Sequence, residues 1–433
     1  MRNGLAIFWF RRDLRLDDNA GLYHALKKSD SVLPLFIFDT HILDNLKDST
    51  DRRVHFIHQE TALLKRSLND MGSDLLTRHG EPLSVWKKLV TEYHVKHVYA
   101  NHDYEPYAIK RDDEVKRLLK EYGIGFSTYK DQCIFEKQEI LKSDGTPYTV
   151  FTPFSKKWKE TLKPFYLRAY PTETYFGSFY KTGPSPVISL ETLGFTSVPH
   201  NFPPKETTTG IIRTYDQTRD YPSLDTTRLS VHFRFGTVSV REKLRKALPL
   251  NEKWVNELIW RDFYMYILAH FPHVAERAFK PAYDRILWRN DEGEFMAWMK
   301  GMTGYPLVDA GMRELNATGF MHNRVRMVCA SFLCKHLLVD WRWGEAYFAE
   351  KLLDFEMASN NGGWQWASGS GVDAAPYFRI FNPAIQLKKF DKDLHYVRKW
   401  VPEYGTSEYP APVVDHEFAR KRCLDTYRKV LNG

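Results

Sequence analysis

In KWVNELIWRDFYMYIL (253–268), Glu257, Trp260, Arg261 and Tyr264 recur at i, i+3, i+4 and i+7. On a helix these four share one face. Such a face is either an exposed surface with an i,i+4 Glu–Arg pair, or a pocket wall offering an acid, a cation and a large aromatic ring. A second segment, NATGFMHNRVRMVCASFLCKHLLVDW (316–341), sets Asn323, Met327 and Ala330 on one face with Arg326 beside them. Methionine there is ordinary core filler. Asn323 and Arg326 are harder to dismiss, because polar groups inside an apolar helix must find partners. Asp354, in KLLDFEMASNNGG, is available to Arg326. A third segment, TTRLSVHFRFGTVS (226–239), places the hydroxyls of Thr226, Thr227 and Ser230 ahead of the helix-forming VREKLRKAL. Hydroxyls and free N–H groups at a helix start suit a phosphate; they also suit simple capping.

The stretch NNGGWQWASGSGVDAAPYFRIFNP (360–383) is too aromatic for a solvated loop and too rich in Gly and Asn for an ordinary core helix. It sets a permissive backbone next to flat aromatic rings. There is no Ser-His-Asp arrangement, no H-E-x-x-H and no cluster of metal ligands. Chemistry in such a chain has to come from a cofactor, with the protein supplying shape and electrostatics.

The elements that must position these residues divide the chain of 433 residues into more than one domain. LAIFWF (5–10) and VLPLFIFD (32–39) read as buried strands, SDLLTRH (73–79) and HVYAN (97–101) less strongly. Amphipathic stretches such as VHFIHQETALLKRSLNDMG and DEVKRLLKEYG lie between them. That alternation predicts a Rossmann-like parallel sheet with helices on both faces over 1–130. Neither G-x-G-x-x-G after the first strand nor a P-loop is present, so a standard nucleotide site there is not supported. Turn and proline signals (GPSP, HNFPP) predict a surface connector over 131–210, and 211–433 reads as helical throughout. Nine of the twelve Trp lie after residue 250. Packing alone does not need so many rings that each carry an N–H to satisfy.

Cys133, Cys329, Cys334 and Cys423 form no C-x-x-C pair and suit reduced thiols in a cytosolic protein. The apolar run near the start is six residues long and ends in Arg11, Arg12 and Asp13, so neither a signal peptide nor a membrane span is expected. The formal net charge of +8 gives a mild bias toward an anionic partner.

Five segments, taken together, carry a resemblance: WFRRDLRLDDN (9–19), TTRLSVHFRFG (226–236), ELIWRDFY (257–264), KGMTGYPLVDAGMRELNATGFMHNRVRM (300–327) and NNGGWQWASGSGVDAAPYFRIFNP. In this order they closely resemble the photolyase/cryptochrome family, and within it the class I cyclobutane pyrimidine dimer photolyases. The resemblance implies an N-terminal α/β antenna domain, a connector and a C-terminal helical domain that binds FAD. It implies that the Asn-Asn-Gly-Gly turn lies against the flavin ring, with Asn360 at flavin N5. Tyr215, Thr226, Thr227, Arg228, Leu229 and Ser230 match the FAD segment around the pyrophosphate. Trp254 and Arg261 match positions lining the flavin. Arg326 and Asp354 match an ion pair beside it. Asp354, Phe355 and Glu356 match a strip usually written Asp-x-Asp, from which Glu356 departs.

The same resemblance implies a substrate pocket. Glu257 matches the acid that hydrogen-bonds the damaged bases, and an apolar surrounding would raise its pKa. Trp260 and Trp366 match two aromatic walls for a flipped dimer, and Asn323 and Met327 its floor. Arg324 and Arg379, with Lys388 and Lys389 nearby, match phosphate contacts; residues 379–400 hold six Lys or Arg against two Asp. Trp364, Trp341 and Trp288 match a chain that carries electrons inward to the flavin. The activity implied is light-driven repair of pyrimidine dimers in UV-damaged DNA: reduced FAD donates an electron, the cyclobutane ring opens and the electron returns. The family also contains (6-4) photolyases, which typically place paired histidines where this chain has Met321-His322-Asn323, single-strand-specific enzymes of the DASH type, and receptors that signal rather than repair. Cryptochromes often carry long C-terminal extensions, and this chain ends at Gly433. Folate-binding relatives carry Asn-Glu where this chain has Tyr107-Ala108. Folate is therefore not the expected second chromophore; a deazaflavin, a second flavin or an empty site remain open. A cytoplasmic monomer is expected.

Overall fold

A computed structural model describes residues 4–431. The chain forms two compact units. One comprises the residues up to Glu136 with Thr161–Glu206 and Arg228–Pro249; the other comprises Lys137–Glu160, Thr207–Thr227 and the residues from Leu250 onward.

The first unit is built on five parallel strands, β1 (Leu5–Phe10), β2 (Val32–Asp39), β3 (Leu76–Gly80), β4 (Val95–Asn101) and β5 (Gly125–Tyr129), in the order β3-β2-β1-β4-β5. Helices α1 (Ala20–Lys28), α2 (Arg52–Asp70), α3 (Pro82–Glu92) and α4 (Pro106–Glu121) connect them. β1 and β2 are apolar at nearly every position because parallel strands are covered on both faces. The core lies among Ile7, Trp9, Leu35, Trp86, Leu89 and Val98. β3 starts three residues later than SDLLTRH suggests, and β4 starts two residues before HVYAN. β5 escapes the sequence reading, since GFSTY at the sheet edge is half-buried at every position and carries little apolar signal.

The segment after β1 is a polar clamp. Arg15 pairs with Asp131 at 2.7 Å and donates to the Gly236 carbonyl at 2.9 Å. Arg241 pairs with Asp131 at 2.8 Å and with Asp18 at 2.9 Å. Leu14 N–H donates to the Phe235 carbonyl. All these side chains are buried, so losing one partner strands a charge. The clamp accounts for a difference from the expected boundary at 211. Residues 228–249 are tied to the sheet-bearing unit rather than to the helical one.

The second unit is helical, as expected. Its main elements are α5 (Phe151–Thr161), α6 (Glu252–His270), α7 (Pro306–Thr318), α8 (Asn323–Ser331), α9 (Trp341–Lys351), α10 (Met357–Ser368), α11 (Pro383–Phe390) and α12 (His416–Leu431). Trp298, Leu315, Val325, Leu333, Trp341, Phe348 and Trp364 form its largest core. The region read as one connector is divided: 137–160, including α5, packs with the helical unit, and 161–206 with the first unit.

Candidate functional site

Three helices set the geometry. α6 begins at Asn251, whose side chain accepts from the N–H groups of Lys253 and Trp254. This cap fixes the phase of the helix and aims Glu257, Trp260 and Tyr264 along one side. Glu257 pairs with Arg219 at 2.7 Å, and the Tyr215 phenol hydrogen-bonds it. The Arg219 guanidinium also lies over the Tyr215 ring at 5.3 Å. Burial raises the Glu257 pKa; Arg219 and Tyr215 oppose the rise without cancelling it. Tyr215 thus contacts Glu257, the residue matched to the substrate acid. Arg219 was missed by sequence reasoning, although its i,i+4 spacing from Tyr215 was there to see.

Trp260 and Trp366, from α6 and α10, line one cavity together with Tyr264, Gln365, Gly371 and Asp373. Arg261 does not share that wall. It turns to Glu356, at 2.9 Å, the residue just before α10. Asn323 and Met327 do not line this cavity. Asn323 is the first residue of α8 and is exposed, so the expectation of a buried amide inside an apolar helix is corrected: the helix begins at that residue. Arg324 donates to Asp220 at 2.6 Å and lies over the Phe390 ring at 4.6 Å, with the Met327 sulfur beside it. Arg379, Lys388 and Lys389 are exposed.

α10 corrects a second expectation. Asn360, Asn361, Gly362 and Gly363 are helical, not a turn. The helix survives its poor propensity through packing. A side chain on Gly362 would overlap the Tyr264 ring, so glycine is what lets α10 approach α6. The two asparagines part ways. Asn361 is buried and accepts from the Gln365 amide at 2.9 Å, while that amide also donates to the carbonyls of Val274 and Arg277. Asn360 donates to the Glu345 carboxylate at 2.8 Å and to the Glu345 carbonyl at 3.1 Å. With both amide hydrogens spent, the Asn360 oxygen is oriented as an acceptor. Burial raises the Glu345 pKa, and the Asn360 bond opposes this. Glu345 carried no signal in sequence, since nothing in DWRWGEAYF marks it.

Arg326 donates to both oxygens of Asp354, at 3.1 and 2.9 Å, and to the Met321 carbonyl at 2.8 Å. Phe355 packs against the core. Trp254 is buried. Thr226 and Thr227 are half-buried; Arg228 and Ser230 are exposed and Leu229 is buried. Ser239 caps the helix over VREKLRKAL, so these hydroxyls are not its cap. Arg228 is held at φ +48°, a left-handed conformation that costs energy in a residue with a side chain. Within the helical unit, the Asn360 acceptor, the Arg326–Asp354 pair and the half-buried Thr226 and Thr227 hydroxyls are polar groups of the kind a flavin nucleotide requires.

Trp364 and Trp341 are 2% exposed and share the main core, whereas Trp288 is partly exposed and packs against it. Trp364 also meets Phe348 at 5.0 Å and Trp298 at 6.0 Å. Tyr107 donates to Asp39 at 2.6 Å.

Two family models match the chain: DNA photolyase over residues 6–173, and the FAD binding domain of DNA photolyase over 254–408. A deoxyribodipyrimidine photo-lyase of a Synechococcus species is 36% identical, covering 98% of this chain and 96% of its own. The crystal structure of a class III photolyase from Agrobacterium tumefaciens superposes with a TM-score of 0.89 at 32% identity, over 100% of this chain and 99% of that one. A photolyase from Sulfolobus tokodaii, solved with two FAD molecules, gives 0.85 at 34% identity, over 98% and 100%.

Proposed function

The chain belongs to the photolyase/cryptochrome family, and on that premise we propose that it is a deoxyribodipyrimidine photo-lyase, splitting cyclobutane pyrimidine dimers in UV-damaged DNA under light. The observation that carries this reading is the cavity walled by both Trp260 and Trp366, with Glu257 one helical turn before Trp260. Two flat rings suit two fused bases extruded from a duplex, and a damaged base is the cheapest to extrude. A carboxyl group with a raised pKa suits the imide and carbonyl edge of a pyrimidine, because it stays a hydrogen-bond donor at higher pH than a free acid. Arg219 and Tyr215 hold that carboxyl in place.

Bound FAD in its reduced form supplies the light absorption and the electron that opens the cyclobutane ring, and no net redox change results. Asn360, oriented by Glu345, would accept a hydrogen bond from the reduced flavin, and Arg326 and Asp354 would help to hold its ring. Trp364, Trp341 and Trp288 carry electrons inward when the flavin is oxidised. Arg379, Lys388 and Lys389 contact backbone phosphates, so affinity falls with salt. Arg324 joins them by exchanging Asp220 for a phosphate. The protein works as a cytoplasmic monomer, and a second, antenna chromophore of a class other than folate is compatible with Tyr107-Ala108. Among the described residues no helix is long and apolar enough to cross a membrane.

The test is a repair assay on photoreduced protein with dimer-containing duplex DNA. Recovery of thymine absorbance under blue light and none in the dark is expected. No repair, with normal flavin absorbance and photoreduction, would replace lyase activity by light signalling.

A further inference from the structure

We propose that Phe151, on the helix α5 that sequence reading assigns to a surface connector, is a positioning residue that holds the pocket wall Trp260 in place. This rests on Trp260 being a wall for the flipped dimer. The Phe151 and Trp260 rings lie 3.6 Å apart between centroids at an interplanar angle of 4°. Two free aromatic rings do not choose a face-to-face sandwich; their quadrupoles favour offset or edge-on contact. The overlap is therefore imposed by the surrounding fold.

What imposes it is visible. Phe151 is the first residue of α5, and its N–H donates to the Asp373 carboxylate at 3.0 Å. A carboxylate at a helix start is favoured by the free N–H groups and the helix dipole. Asp373 itself lines the cavity, in the loop that follows α10. Behind the pair, Phe263 meets Phe151 at 5.8 Å and 74° and Trp260 at 5.8 Å and 77°, closing the stack from the core. Phe151 is not among the residues that line the cavity, whereas Trp260 is. One side of the indole is thus covered by Phe151, while the indole still borders the space that receives the bases. A wall that must present a flat surface to a flipped-out dimer of two joined bases cannot swing freely. The stacked phenyl removes that freedom before substrate arrives, so less ordering is paid for on binding.

The experiment compares Phe151→Leu, Phe151→Tyr, Asp373→Ala and Trp260→Ala in the FAD-bound protein. The readouts are Kd for dimer-containing duplex, Kd for the same duplex undamaged, flavin content, and repair yield at saturating substrate. Leucine nearly preserves volume but not flatness. Phe151→Leu and Asp373→Ala should weaken damaged-DNA binding by about two- to tenfold. Undamaged-DNA binding and flavin content should hold in both, repair yield once bound should hold in Phe151→Leu, and Phe151→Tyr should keep wild-type discrimination. A generally misfolded protein would lose both affinities or its flavin; that outcome overturns the positioning role. So does unchanged discrimination in Phe151→Leu and Asp373→Ala when Trp260→Ala loses it. If Trp260→Ala also discriminates normally, Trp260 is not the wall, and the inference falls with that reading.

Discussion

Glu257 sits between opposing influences. Burial favours its neutral form, while Arg219 and the Tyr215 phenol favour the carboxylate. Burial wins, and the pKa lies above that of a free glutamate. The sign matters for repair. As pH rises through that elevated value the proton is lost, and with it the donor that the proposed function assigns to the dimer. Glu257→Gln keeps a donor at every pH, so its repair yield should vary less with pH than the wild type across the weakly acidic range. Glu257→Ala removes the group. A hydrogen bond from a neutral donor is worth about 0.5–1.5 kcal/mol, so repair should slow by roughly two- to tenfold with flavin retained. Steady-state photolysis at matched flavin occupancy measures this. An unchanged yield in Glu257→Ala would remove the residue from the mechanism. Asn360 teaches a related lesson. Its type alone allows donation or acceptance, and only the Glu345 contacts decide which atom faces outward.

At the scale of elements, α9 and α10 are packed through a missing side chain. A β-carbon on Gly344 would overlap the Trp364 ring and crowd Leu333. Gly344→Ala gains helix propensity of about 1 kcal/mol. It also forces a fully buried indole to move, and overpacking of this kind costs about 1–3 kcal/mol. The net expectation is destabilisation together with slower flavin photoreduction, because Trp364 shifts. Urea unfolding and transient absorption on one preparation would check both, and a more stable variant with unaltered photoreduction would refute the packing account. These helices also show what a sequence can reveal. β1 and β2 were legible because burial on both faces leaves unbroken apolar runs. The shared face of Trp260 and Tyr264 on α6 was legible because its spacing is helical, whereas Arg261, read onto the same face, turns to Glu356. β5 was not, being an edge strand with half-wet residues. The helical state of Asn360–Gly363 was not, because tertiary packing overrides propensity there. Phe151 and Arg219 act through contacts with residues 109 and 38 positions away, and no local pattern encodes such partners. The pairing of Arg326 with Asp354 was anticipated because a cation in an apolar helix demands a partner.

At the scale of the whole molecule, buried histidines set an acid limit. His232 has its ring nitrogens engaged by Thr237 at 2.7 Å and the Pro203 carbonyl at 2.8 Å, an arrangement satisfied by the neutral ring. Burial, with Lys205 and Lys243 nearby, lowers its pKa to about 4. His322 accepts from the Arg324 N–H; burial and Arg326 lower it to about 4. His336 meets His416 at 2.8 Å, and burial with that neighbour lowers it to about 3. All three are neutral in the fold and protonated in the unfolded chain once pH drops below about 6.5. Between there and about 4 the unfolded state binds more protons, so stability is full above the ordinary histidine range and falls as pH falls. Each group contributes a slope of about 1.4 kcal/mol per pH unit, or roughly 4 kcal/mol per unit for the three together. Denaturant unfolding of the FAD-bound protein at stepped pH should show that decline. His336→Gln should shed about one group's share of the slope while lowering stability at neutral pH, since the contact with His416 is altered. A flat stability profile from pH 6.5 to 4.5 would mean that these rings take up protons in the folded protein, and that their burial is looser than the packing around them indicates.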